Sequence, residues 1–271
     1  MKKTSTIYKV ILGIICIIVI FSVSYYFAAT KKNEDNVGKI EKMTNSTAKV
    51  MTDYVDVVYY INLDDRKDRN DEFLAEMEKV GFPKEKIVRI SAVHKKERGH
   101  LGCSLSHIET LKKFIKTDYR NCIVFEDDFE FTQYNDNINE AFQNLVDNNV
   151  EFDVCMLSGN VYDTEPVAEY PFIKKAVRVW TTSGYMLSKN FAPTLLENFK
   201  EGAKKLDKSY DERVDIKKTD PTKYNYIGEY ALDQYWTSLQ KSSNWYIFEP
   251  KLGNQRKSYS DIMEGTVMYA V

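Results

Sequence analysis

The chain has 271 residues, enough for one buried domain of about 200 residues and a shorter additional region. Its 38 lysines and arginines nearly balance its 40 aspartates and glutamates, which excludes a strongly basic surface for binding nucleic acid through the phosphates. Its four cysteines are interpreted as packing residues, not as zinc ligands or a disulfide framework. The alternative for two of them is a disulfide between Cys122 and Cys155, if the domain lies in an oxidising compartment.

The N-terminal region is apolar. Residues 10–29 contain no charged side chain, and about 20 such residues at a rise of 1.5 Å each cross a bilayer. Lysines precede this run and favour a cytoplasmic N-terminus. We therefore predict a cytoplasmic tip and a transmembrane signal anchor over residues 1–29, with a cleaved signal peptide as the competing interpretation.

A polar segment follows over residues 30–53. It lacks a helical or strand period, which is typical of a flexible stem, and it carries the glycosylation sequon Asn45-Ser46-Thr47. Residues 54–271 are predicted to form the single folded domain.

The domain begins with a predicted βα unit. Residues 54–63 indicate a buried strand, and Asp64 and Asp65 are predicted to cap a helix that runs to Val80. The alternation continues with a strand over 86–92, a helix over 104–116 and a strand over 121–128. This order favours an α/β fold with a parallel sheet covered by helices.

The second half of the domain is also mixed. Its predicted elements are a helix over 136–148, a strand over 152–158, one or two strands over 176–187, a helix over 191–200, a helix over 229–241 and a strand over 245–248. The charged, weakly patterned stretch 203–226 is predicted to be a surface excursion that can serve as an active-site loop. An irregular tail completes the chain.

Three consecutive carboxylates, Glu126, Asp127 and Asp128, end the apolar strand over 121–128. Strand alternation places Glu126 and Asp128 on one face and Asp127 on the other. Ligands of α/β sheets bind at the carboxyl ends of strands, and hard oxygen donors suit Mn²⁺ or Mg²⁺. The segment therefore predicts a metal site, with a solvated acidic loop as the alternative.

Basic side chains offer candidate phosphate contacts. Arg66 and Arg69 lie one helical turn apart, so both can face a phosphate, or both can pair with Asp65 and Glu72 on a solvated face. His107 falls in the first turn of the predicted helix, where free N–H groups favour anions, and a structural hydrogen-bonding role is the alternative.

Six motifs in the same order resemble glycosyltransferase family 25, which contains lipooligosaccharide and procollagen galactosyltransferases. The resemblance covers nearly the whole domain, and the matching order is more specific than any single motif. The segments that carry it are residues 60–69 (Tyr-Ile-Asn-Leu-Asp-Asp-Arg-Lys-Asp-Arg), 99–107 (Gly-His-Leu-Gly-Cys-Ser-Leu-Ser-His), 125–128 (Phe-Glu-Asp-Asp), 182–188, 232–234 and 250–262.

The resemblance implies a GT-A-like fold, with a mixed, mostly parallel sheet flanked by helices. It also implies a UDP-sugar donor, a divalent metal and inversion at the anomeric carbon. On these positions we expect nucleotide-sugar contacts from Asn62, Arg66, Arg69, His107 and Asp127, metal ligands from Glu126 and Asp128, and a catalytic carboxylate from Asp233 or Asp261.

An inverting transfer needs a base that takes the proton of the acceptor hydroxyl. Asp233 has aromatic neighbours in the sequence, including Tyr230 and Trp236, which can desolvate its carboxylate and stack on an acceptor. The alternative role for Asp233 is stabilisation of a helix N-terminus.

We therefore predict a type II membrane glycosyltransferase that moves a hexose, by kinship galactose, from a UDP-sugar to a hydroxyl of a protein or glycan. The catalytic domain is expected in the lumen of the Golgi or endoplasmic reticulum, or on the corresponding outer face. The alternatives are a glucosyl- or other hexosyltransferase of the same fold, and a catalytically silent, membrane-anchored binding module.

Overall fold

The computed structural model describes residues 50–219, 228–260 and 265–267, with side chains described over 51–210 and 229–257. The predicted anchor, most of the predicted stem and Asp261 lie outside these residues. Within them, no helix is both long enough and apolar enough to cross a membrane.

The regular elements alternate along the chain. The helices are α1 (Val50–Tyr54), α2 (Lys67–Lys79), α3 (Gly99–Ile115), α4 (Asn135–Asp147), α5 (Ala192–Thr219), α6 (Leu232–Tyr235) and α7 (Thr237–Gln240), with 3-10 turns at Lys84–Lys86 and Gly228–Tyr230. The strands are β1 (Val57–Asn62), β2 (Ile87–Ser91), β3 (Asn121–Glu126), β4 (Phe129–Phe131), β5 (Val154–Met156), β6 (Asn160–Pro166), β7 (Ile173–Trp180), β8 (Gly184–Ser188), β9 (Trp245–Phe248), β10 (Gly253–Gln255), β11 (Ser258–Ser260) and β12 (Gly265–Val267).

An eight-stranded sheet has the order β2-β1-β3-β8-β5-β9-β7-β6. β2, β1 and β3 are parallel, as are β5 and β9. β8 is antiparallel to both of its neighbours, and β7 is antiparallel to β9 and β6. Only β7 and β8 thus run against the other strands of this sheet, which confirms the predicted α/β class with a mostly parallel central sheet. β4 and β10, and β11 and β12, form two small additional sheets.

Both faces of the sheet are covered, because every residue of β1 is buried. Alternate side chains of β1, such as Tyr59 and Tyr60, belong to two different apolar clusters. One cluster is completed by α3 and α5, and the other by α2 and α4. Cys122 and Cys155 belong to different clusters and are both free thiols, so they form no bridge.

Helix α5 corrects the predicted surface excursion over 203–226 as far as residue 219, and residues 220–226 lie outside the described residues. The helix continues to Thr219, and Ala203, Leu206 and Tyr210 are buried. These positions extend the spacing of Leu195 and Phe199 by three or four residues at a time, which is one face of a helix. The numerous charges on the remaining faces obscured that period in the sequence.

Three of the predicted helices also differ from the observed ones in how they begin or in their extent. Helix α2 begins after Arg66 without a side-chain cap, and Asp64 accepts hydrogen bonds from Arg89 and Ser91 instead of capping the helix. Helix α3 begins five residues earlier than predicted, at Gly99. The predicted helix over 229–241 is broken into a 3-10 turn and the short helices α6 and α7.

Candidate active site

A cavity of about 180 Å³ lies at the carboxyl ends of β1 and β3. The loop after β2 and the first turns of α3 close its other side. Gly102 permits this closure, because a Cβ atom at this position would lie 2.5 Å from the carbonyl oxygen of Val93. The acidic triplet lines the cavity together with Arg69, Cys103 and Gln255.

Asp127 is held by two side chains from the first βα unit. Arg69 Nη1 donates to Asp127 Oδ1 at 2.8 Å, and Asn62 Nδ2 donates to Asp127 Oδ2 at 2.7 Å. All three residues are buried. Burial raises the pKa of Asp127, although Arg69 and Asn62 act in the opposite direction. Asn62 thus organises the acidic cluster, and Asp127 is committed to two internal bonds.

Asp128 is buried beside the same guanidinium, with Oδ2 3.5 Å from Arg69 Nη1 and 3.2 Å from Gln255 Nε2, which donates to it. Its other oxygen, Oδ1, is buried and accepts no hydrogen bond from the described residues. Burial and the nearby Glu126 raise the pKa of Asp128 to about 7, although Arg69 acts to lower it. A cation at Oδ1 would relieve this destabilised carboxylate.

Glu126 makes a separate set of contacts. Its Oε1 accepts a 2.5 Å hydrogen bond from Thr182 Oγ1 and lies 3.4 Å from His107 Nε2 and 3.9 Å from Cys103 Sγ. Burial acts to raise the pKa of Glu126, but His107 and Thr182 outweigh it and lower the pKa. Glu126 is therefore the member of the triplet with the strongest tendency to stay ionised.

The triplet does not follow the predicted strand alternation, because β3 ends at Glu126 and a turn follows. Asp127 and Asp128 share Arg69, whereas Glu126 contacts α3. The prediction that Glu126 and Asp128 lie on one strand face is wrong for this reason. All three carboxylates nevertheless line one cavity.

His107 lies in the third turn of α3, so the free N–H groups of a helix N-terminus do not surround it. The predicted position of His107 in the first turn is therefore wrong, and its nucleotide contact stays a prediction without that argument. Its side chain is fully buried, and Nδ1 is 3.0 Å from the hydroxyl oxygen of Tyr185. The imidazole connects Tyr185 with Glu126.

Asp233 lies in the first turn of the short helix α6, and its Oδ2 accepts a hydrogen bond of 3.0 Å from the backbone N–H of Thr181. Burial raises the pKa of Asp233 to about 6, with a further contribution from Glu126 and against the bond from Thr181. Thr181 has a φ of 76°, which is rare for a β-branched residue and is often found at functional sites.

The two arginines that were predicted to contact a phosphate lie in different surroundings. Arg69 is buried in the site, whereas Arg66 pairs with Asp68 at 2.9 Å, and its side chain does not line the cavity. Of these two arginines, Arg69 alone is therefore placed where it can contact a phosphate in the cavity.

The sequence interpretation missed Cys103, Thr182 and Gln255 as members of the site. Cys103 and His107 have the CxxxH spacing, which places both side chains on one face of α3 and was the available signal. Gln255 lies in the closing motif, but no local pattern relates it to Asp128, which is far away in the sequence.

The profile of "Glycosyltransferase family 25 (LPS biosynthesis protein)" matches residues 55–210, more than half of the chain. The chain belongs to glycosyltransferase family 25. This match extends from β1 into α5 and includes the acidic triplet, whereas Asp233 lies beyond it. The match confirms the family that the sequence motifs indicated, and it identifies the chain as a glycosyltransferase. No curated protein sequence matches the chain.

Several solved structures are similar to this family 25 chain. A mannose-1-phosphate geranyltransferase from Thermus thermophilus is 11% identical, with 77% of this chain and 76% of that chain covered and a TM-score of 0.35. A protein of Bacillus anthracis assigned as a glucose-1-phosphate thymidylyltransferase, in complex with sucrose, is 12% identical (55% and 59% covered, TM-score 0.27). A protein of Entamoeba histolytica assigned as a UDP-N-acetylglucosamine pyrophosphorylase is 12% identical (51% and 45% covered, TM-score 0.26).

Proposed function

We propose that this family 25 glycosyltransferase is metal-dependent and inverting, and that it moves a hexose, galactose by kinship, from a UDP-sugar to a hydroxyl of a protein or glycan. The observation that carries the proposal is the buried carboxylate of Asp128, whose Oδ1 faces no donor among the described residues while its neighbours are also acidic. Such an oxygen suits a divalent cation.

The donor set fits Mn²⁺ or Mg²⁺. Asp128 Oδ1 has no hydrogen bond from the described residues, and the contacts of the Glu126 carboxylate with Thr182, His107 and Cys103 all use Oε1. Each residue therefore has one oxygen left for a hard cation, as the predicted metal pair requires. When bound, the metal would neutralise negative charge on the departing diphosphate.

The remaining residues orient the donor side. Asn62 and Arg69 fix Asp127, and Arg69 also faces the cavity, where its positive charge favours a diphosphate. The predicted nucleotide contacts of Arg66 and His107 have weaker support, because Arg66 pairs with Asp68 and His107 is fully buried. We assign His107 to the positioning of Glu126.

On the acceptor side, Asp233 serves as the base. Its carboxylate accepts the proton of the acceptor hydroxyl, the acceptor oxygen forms a bond with the anomeric carbon, and the bond from that carbon to the UDP oxygen breaks with its electron pair on UDP. The raised pKa of Asp233 suits proton transfer near neutral pH. Asp261, the alternative base, lies outside the described residues.

The proposed setting is the type II membrane arrangement, with residues 1–29 as the anchor and the catalytic domain in a lumen or on the corresponding outer face. It rests on the uncharged run over residues 10–29 alone. Another hexosyltransferase of the same fold is the enzymatic alternative, and a panel of UDP-sugars separates it from a galactosyltransferase. A silent binding module would bind UDP and transfer no sugar from any member of the panel.

The deciding experiment measures UDP binding to the full-length chain by calorimetry, with and without Mn²⁺. We expect UDP to bind only with Mn²⁺, and we expect Asp128→Asn to weaken Mn²⁺-dependent binding by about 10-fold or more, because the variant removes a charged ligand oxygen. Glu130→Gln is the matched control, since Glu130 lies two residues further on and outside the cavity lining. Equal UDP binding in EDTA and in Mn²⁺ would contradict the metal dependence.

A further inference from the structure

A sulfur, a nitrogen and an oxygen atom converge at the inner end of the cavity. Cys103 and His107 lie four positions apart on α3, so their side chains share one face of the helix. Both point toward the carboxylate of Glu126, at the end of β3. The three ligand atoms lie within 4.8 Å of one another.

The distances suit a tetrahedral cation. Zinc bonds of about 2.0–2.3 Å to oxygen, nitrogen and sulfur place neighbouring ligand atoms roughly 3.3–3.8 Å apart. The observed separations are 3.4 Å from His107 Nε2 to Glu126 Oε1, and 3.9 Å from Cys103 Sγ to the same oxygen. Only small side-chain movements would be needed to bind the ion.

The surroundings already hold two of the ligands in place. The hydroxyl of Tyr185 lies 3.0 Å from His107 Nδ1, which leaves Nε2 directed at Glu126. Thr182 donates to the Glu126 carboxylate and fixes its orientation. Outer hydrogen bonds of this kind orient imidazole and carboxylate ligands in zinc sites.

The site is also accessible. Cys103 and Glu126 line the cavity, so an ion can enter from it, and a fourth position is left for water on the cavity side. A site with three protein ligands and one open position is a common zinc arrangement.

We propose that Cys103, His107 and Glu126 form a second cation site, which takes Zn²⁺ through sulfur, nitrogen and oxygen. Mn²⁺ and Mg²⁺ prefer oxygen ligands and are expected to bind it weakly. Zinc binding converts the thiol to a thiolate and releases its proton into the cavity.

Zinc binding does not depend on the proposed function, but its consequence does. Glu126 is shared between this site and the proposed Mn²⁺ site. Zinc bound at Glu126 Oε1 reduces the negative charge that Oε2 offers to Mn²⁺ and repels the second cation, and it therefore weakens Mn²⁺-dependent UDP binding. The enzyme would be inhibited by zinc and restored by removal of zinc.

The test titrates the full-length chain with Co²⁺, which replaces Zn²⁺ in such sites and gives a thiolate-to-cobalt charge-transfer band. We expect the band in the native protein, its loss on addition of Zn²⁺, and its absence in Cys103→Ser. Zn²⁺ affinity, measured by calorimetry, is expected to fall by more than about 10-fold in Cys103→Ser.

Cys155→Ser is the matched control, because Cys155 is also a free thiol but lies in the other apolar cluster. Cys16→Ser controls for the thiol in the N-terminal region. Both variants are expected to keep the band, and circular dichroism verifies that each variant is folded. A native protein without a charge-transfer band, or a band that persists in folded Cys103→Ser, would overturn the zinc site whether or not the chain transfers sugar.

Discussion

At the scale of single residues, the site is a cluster of buried charges that differ in their partners. Asp127 has two hydrogen bonds, Asp128 has an oxygen without one from the described residues, and Glu126 is held by the α3 side of the cavity. Arg69 contacts the carboxylates of both Asp127 and Asp128. The fold therefore depends on this guanidinium as much as the donor site does.

We predict that Arg69→Gln lowers the free energy of unfolding by about 3 kcal/mol, because it leaves buried carboxylates without their cation. Denaturant unfolding at neutral pH in EDTA measures this change. Arg66→Gln is the control, one helical turn earlier, and its pair with the exposed Asp68 is expected to contribute less than about 1 kcal/mol. Equal losses in the two variants would contradict the special position of Arg69.

The raised pKa of Asp233 gives a prediction about pH. As a base, Asp233 acts only in its ionised form, so kcat/KM should rise with pH through about 6 and fall about 10-fold per unit below it. Sugar transfer measured across this range checks the profile. Asp233→Asn should abolish transfer while Mn²⁺-dependent UDP binding persists. Full transfer by this variant would exclude Asp233 as the base.

The sequence indicated most of these residues but not their contacts. The triplet was recognisable because an apolar strand precedes it, and Asn62 and Arg69 because they follow the first strand. The association of Thr182 with Glu126 joins residues 56 positions apart, and it depends on how β8 pairs with β3. No local pattern specifies such a pairing.

At the scale of elements, α5 is the largest departure from expectation. A stretch that the charges suggested to be a loop is a helix whose buried face packs on α3. Only three or four positions in each two turns must be apolar in such a helix, so lysines and glutamates can fill the rest. The apolar period of the predicted helix over 191–200 continues into residues 203–210. It is visible only when these two segments are taken as one helix.

We predict that Leu206→Ala lowers the free energy of unfolding by about 2–5 kcal/mol, because Leu206 is fully buried in α5. Lys204→Ala, two residues earlier on the exposed side, is expected to change it by less than about 0.5 kcal/mol. Urea unfolding of both variants makes the comparison. If Leu206→Ala were as mild as Lys204→Ala, the segment would be a surface loop after all.

At the scale of the whole molecule, alternating strands and helices predicted the α/β class and the position of the site at the carboxyl ends of β1 and β3. They did not predict that β8 inserts antiparallel between β3 and β5. A buried strand has the same apolar pattern in either direction, because the pattern records burial and not orientation. Strand order is therefore the part of the fold that the local sequence specifies least.

The reversed strand β8 and the residues that lead into it have a mechanical consequence. The peptide N–H of Thr181 holds Asp233, and the hydroxyl of the next residue, Thr182, holds Glu126. Consecutive Cα atoms are about 3.8 Å apart. The peptide bond between Thr181 and Thr182 thus connects the contacts of two carboxylates. One is proposed to take the acceptor proton, and the other is proposed to hold the donor's metal. The separation of the two halves of the proposed reaction is therefore linked to the geometry of one peptide unit.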